Sequence, residues 1–110
     1  MQAEIIWRDT PMPTALPPLA IPATRPFPVL VVKDRGDTYW FVSPDQIAHF
    51  CEIMSRPVLP HLSELQRRYG TSHRNKLWLS RIPKRSLKRR LALVAFVRRK
   101  ALLLDRALAP

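Results

Sequence analysis

The chain is predicted to be a small α+β protein on three observations: a proline-rich start, a pair of β-branched runs flanking a turn, and a leucine-, alanine- and arginine-rich end. At 110 residues it has room for one domain with a modest core. Its composition, 46% hydrophobic and 25% charged, is that of ordinary globular chains. The expected organisation is an extended Pro-rich N-terminal segment over 1–28, followed by a single α+β domain over 29–110. Within that domain a hairpin and helix occupy 29–56 and a basic helical part 57–110.

Residues 11–28 hold seven of the twelve prolines, which removes backbone donors and biases the segment to polyproline-like extension. Leu16, Leu19, Ile21 and Phe27 interleave with them, so a strap lying on the domain fits better than a free linker. Val29 to Lys33 and Thr38 to Val42 flank Asp34-Arg35-Gly36-Asp37 and read as a β-hairpin. Ser43-Pro44-Asp45-Gln46 then supplies an N-cap serine, a proline at the first helical position and glutamine three residues after the serine, which is a capping box. In the helix it opens, Ile47, Phe50, Cys51 and Met54 fall on one face, and Pro57 limits the extension.

From Leu59 the pattern becomes helical and basic. Leu62, Leu65 and Tyr69 share a face that ends at Gly70, and a short helix over roughly 72–81 turns Leu77 and Trp78 inward before Pro83. Leu62 to Ile82 resembles a helix-turn-helix in part: Leu65, Tyr69-Gly70 at the turn, Ser72 opening the second helix, Leu79 closing it. It departs from that pattern at Gln66, Thr71 and Lys76, where small or apolar residues are usual. The resemblance implies that His73, Arg74, Asn75 and Lys76 reach base edges in a major groove.

Ser86 to Ala109 reads as a long helix, since leucine and alanine favour helix over strand. Its apolar arc comprises Leu87, Leu91, Val94, Val97, Ala101, Leu102, Leu104 and Leu108, with Lys88, Arg89, Arg99, Lys100 and Arg106 opposite. Neither side is clean. Arg90 and Arg98 intrude on the apolar arc, and Phe96 and Leu103 lie among the basic residues. Phe96 and Leu103 are two turns apart beside the small Ala92 and Ala107, which predicts a second apolar seam covered by another copy of the chain or by a partner helix.

The charge is uneven. Residues 1–60 carry five basic and six acidic side chains, whereas residues 61–110 carry fourteen and two, so nearly all of the net +11 belongs to the second half. Charge of one sign concentrated in this way opposes compaction unless an anionic partner balances it. The densest part is Arg67, Arg68, Arg74, Lys76, Arg81, Lys84, Arg85, Lys88, Arg89 and Arg90, and arginine's planar fork suits phosphate. The expected function is therefore non-catalytic nucleic-acid binding, to DNA or RNA, through these residues with His73 and Asn75. The alternative is a small interaction factor or inhibitor that docks on an acidic protein surface.

Other classes find little in the sequence. His49 and Cys51 are two apart on a helix and point to different sides, so they make neither a dyad nor a metal pair. Asp34, Asp37 and Asp45 occupy a turn and a helix start, where structural roles suffice, and two glycines build no phosphate loop. No enzyme activity, cofactor or metal is expected. A lone cysteine and the absence of a signal-like start fit the cytoplasm. The longest apolar run, Leu91 to Val97, is seven residues where a membrane span needs about 20.

Overall fold

The structure, a computed structural model, describes residues 1–10, 25–57 and 86–109. Their elements are β1 (Gln2–Arg8), β2 (Phe27–Asp34), β3 (Asp37–Phe41), α1 (Pro44–Met54) and α2 (Leu87–Leu108). The strands form one antiparallel sheet in the order β1-β2-β3, an α+β arrangement with both helices on one face.

The hairpin forms where the β-branched runs place it. Asp34 pairs with Asp37, leaving Arg35 and Gly36 as a two-residue turn with φ of 51° and 86°. Two central residues at positive φ match the right-handed twist of the flanking strands. Glycine adopts that conformation freely; Arg35 does so against the steric preference of its Cβ.

β1 is absent from the elements expected from the sequence. It pairs with β2 from Gln2↔Lys33 to Arg8↔Phe27, so residues 2–8 and 27–28 belong to the sheet and not to an extended N-terminal segment. This pairing is long-range and no turn signal beside residues 1–10 announces it. The strap expected over the prolines falls mostly on 11–24, outside the described residues. Pro28 is tolerated because β3 reaches β2 only as far as Leu30, so among the described residues Pro28 has β1 alone as a neighbouring strand.

β2 is buried on both faces. Phe27, Val29 and Val31 join Val42 in a small cluster flanked by Ile6 and Trp40. On the other face Leu30 and Val32, with Tyr39 and Phe41 of β3, meet Ile47, Phe50, Cys51, Ile53 and Met54 of α1 and Leu93, Val94, Val97 and Leu104 of α2. Phe50 is central: its ring lies 5.0 Å from Tyr39 and 5.2 Å, edge to face, from Phe41.

The start of α1 is tied to the sheet by its cap. Ser43 Oγ accepts from the Gln46 amide at 3.3 Å, as the capping box predicts. The return bond differs: Gln46 Oε1 accepts from the Val42 amide at 2.7 Å, one residue before the N-cap. Gln46 is thereby buried and satisfies the backbone where β3 passes into α1.

Three stability differences follow, measurable by urea denaturation. Ser43→Ala lowers stability by about 1 kcal/mol, and Gln46→Leu by about 1–3 kcal/mol because a buried amide loses its acceptor. Phe50→Ala, which empties the centre of the core, costs about 3–5 kcal/mol. Equal midpoints for wild type and Gln46→Leu would refute the buried bond.

Candidate nucleic-acid interface

α2 begins at Ser86, whose Oγ accepts from the Arg89 amide at 3.3 Å. Its seven cations and one acid are distributed unevenly around the axis, and their positions decide which are available to a ligand.

Arg90 is not available. Its guanidinium is buried, with Nη1 donating to the carbonyls of Met54 at 3.1 Å and Arg56 at 2.7 Å, and Nη2 to that of Pro57 at 3.3 Å. These acceptors lie at and just beyond the C-terminal end of α1, whose last turn contains no basic residue of its own. A cation there satisfies carbonyls that lack a helical donor and favours the negative end of the helix dipole. The expectation that Arg90 contacts nucleic acid is therefore corrected: its donors are spent inside the fold.

The apolar arc is corrected in the same direction. The buried residues of α2 are Arg90, Leu93, Val94, Val97 and Leu104, whereas Leu91, Leu102 and Leu108 are exposed. The helix is rotated from the expected setting toward Leu93. Phe96 and Leu103, expected to form a separate surface, are half-buried and pack against the core alongside Ala3 and Ile5 of β1. The unforeseen strand and α2 are in contact and flank the same core. Arg99 and Lys100 lie 5.8 and 5.7 Å from the centroid of the Phe96 ring, close enough for cation–π attraction.

Opposite the buried seam, Lys88, Arg99 and Arg106 lie eleven and then seven residues apart. At 3.6 residues per turn this aligns them on one line about 27 Å long. All three are exposed, as are Arg89 and Arg98 on the flanks. Of the contacts expected from the sequence, this helix holds Lys88, Arg89 and Arg90; the helical spacing also carries the signal for Arg99 and Arg106. Among the described residues the ion pair is Arg56–Glu52 at 3.1 Å, within α1 and its C-terminal flank, so none of these α2 cations is neutralised there. Lys88 and Arg89 also occupy the first turn, which contains no acid, where positive charge opposes the helix dipole.

Arg67, Arg68, His73, Arg74, Asn75, Lys76, Arg81, Lys84 and Arg85 lie outside the described residues, and so does the helix-turn-helix segment. Among the described residues no group of three or more His, Cys, Asp or Glu side chains could hold a metal ion, and no helix is long and apolar enough to cross a membrane. No family model, no curated protein and no solved structure matches the chain.

Cys51 is buried, as its place in the α1 stripe implies. Burial pushes its thiol above the ordinary value of 9.0, and the nearby Arg98 guanidinium offsets only part of that. A raised folded-state pKa stabilises the fold below the unfolded thiol's pKa, and this contribution is lost as pH rises past it. Denaturation midpoints measured upward from pH 9 therefore fall more steeply for wild type than for Cys51→Ala. Native protein at pH 8 leaves the thiol unalkylated until denaturant exposes it; rapid alkylation without denaturant would contradict the burial.

Proposed function

We propose that the protein binds nucleic acid without catalysing a reaction on it, the basic C-terminal half contacting phosphates. The observation that carries this reading is the exposed line of Lys88, Arg99 and Arg106 with Arg89 beside it, unneutralised among the described residues and lying opposite the buried seam of α2. Cations gathered on one face repel each other, and two of them oppose the dipole of their own helix. Charge held at such positions is better explained by an anionic ligand than by solubility, for which mixed signs would serve.

A line about 27 Å long is matched to a backbone polyanion, whose charges repeat along its length, more closely than to a compact anion. On this reading Arg67, Arg68, Arg74, Lys76, Arg81, Lys84 and Arg85 add to the same phosphate-facing charge, and His73 to Lys76 contact base edges if the segment docks as a helix-turn-helix. A cytoplasmic site of action belongs to the same proposal.

The test is the salt dependence of binding to duplex DNA and to RNA, measured by fluorescence anisotropy after nuclease treatment and repurification. With six to ten phosphates contacted, raising salt from about 50 to 200 mM weakens binding by roughly 10³–10⁵. Arg99→Gln with Arg106→Gln reduces the slope of log K against log salt by about 2, since each phosphate contact contributes roughly 0.9. An affinity nearly independent of salt, or a purified chain that carries a discrete acidic protein and no nucleic acid, would overturn this reading in favour of docking on an acidic protein.

A further inference from the structure

The flank of α2 that faces α1 is neither core nor part of the basic line. Here the two helices leave an open groove of about 490 Å³, floored by Ile47, Ala48, Cys51 and Ala101 and edged by Arg98 and Asp105. Leu102 stands on the same flank at 58% exposure, and Leu91 lies along it at 45%. Large apolar side chains exposed beside an apolar groove mark an interaction surface. The charges on its edge indicate what fits there.

Arg98 and Asp105 are seven residues apart, two turns along one face, and both are exposed. Asp105 is the acid of α2, and its carboxylate enters no ion pair among the described residues. Glu52, across the groove, is already paired with Arg56. When two copies of α2 are laid antiparallel about a two-fold axis between Ala101 and Leu102, Arg98 of each copy faces Asp105 of the other. The same operation keeps each residue on its own side of the seam, so Leu102 of each copy meets Leu102 of the other on the side away from α1, while the two grooves adjoin beside Ala101. One surface thus meets itself through an apolar contact and is complementary to itself in charge, as a two-fold interface requires.

We infer that a second copy of this chain covers this flank, in an antiparallel α2–α2 homodimer with Leu102 packed on its counterpart and two reciprocal Arg98–Asp105 pairs. The apolar contact supplies affinity and the charge pairs fix the register, since exposed ion pairs contribute more to specificity than to strength. This interface differs from the Phe96–Leu103 seam expected from the sequence, whose residues pack against the core beside β1. The inference does not rest on the nucleic-acid reading. The line of Lys88, Arg99 and Arg106 lies beside the dimer face and remains open on both copies.

Sedimentation equilibrium of the nuclease-treated full chain tests it. Wild type sediments at twice the 12.8 kDa chain mass. Arg98→Asp and Asp105→Arg each place like charges across the axis and weaken association at least about tenfold, while an equimolar mixture of the two variants restores the dimer because its charges are complementary in the mixed pair. Leu102→Glu, at an exposed position, remains folded by circular dichroism and sediments as a monomer. A monomeric wild type would leave the groove to a different partner and overturn the inference. Single charge variants that dimerise like wild type, or a mixture that stays monomeric, would overturn this surface and this register.

Discussion

Three carbonyls at and beyond the end of α1 are met by one guanidinium, and that contact sets the rotation of α2. With Arg90 fixed on Met54, Arg56 and Pro57, the periodicity of an α-helix leaves little choice for the rest. Leu93, Val94, Val97 and Leu104 turn to the core, and Phe96 and Leu103 turn toward β1. Arg98, Leu102 and Asp105 edge the groove beside α1, and Lys88, Arg99 and Arg106 face outward. A buried charge is tolerable here because carbonyl dipoles at a helix C-terminus compensate it, and arginine supplies enough donors to reach all three.

The four faces of α2 give the molecule a division of labour along one element. The seam holds the fold, and the flank against β1 completes the sheet side of the core. The groove flank presents Leu102 between Arg98 and Asp105, and the outer line concentrates positive charge. Neighbouring residues of the same type therefore have different roles. Arg89 is exposed in the first turn, whereas Arg90 is enclosed and bonded.

Much of the fold was legible because its signals are local. The β-branched runs around Asp34–Asp37 specify a hairpin, and Ser43 with Pro44 and Gln46 specifies a helix start, within a few residues of each other. β1 was not legible, since its evidence lies in residues about 25 positions away along the chain. Without β1, Phe96 and Leu103 have no cover in the sequence, and the apolar arc of Leu87, Leu91, Val94, Val97, Ala101, Leu102, Leu104 and Leu108 leaves them among the basic residues, where a separate surface is expected. Arg90 was misassigned because a count of cations does not distinguish one that faces solvent from one that faces the end of another helix. In the charge-dense part of the site, only Lys88, Arg89 and Arg90 lie among the described residues, and one of the three is structural.

The adjacent arginines provide the most direct test, by measuring both folding stability and the salt slope of duplex binding for Arg89→Met and Arg90→Met. Arg90→Met is predicted to lower the urea midpoint by at least about 3 kcal/mol of stability, since hydrogen bonds from a charged donor contribute roughly 1.5–3 kcal/mol each, and to leave the salt slope of the folded protein unchanged. Arg89→Met is predicted to leave the midpoint within about 0.5 kcal/mol and to reduce the slope by about 0.9. An Arg90→Met protein as stable as wild type, with a reduced salt slope, would contradict the account.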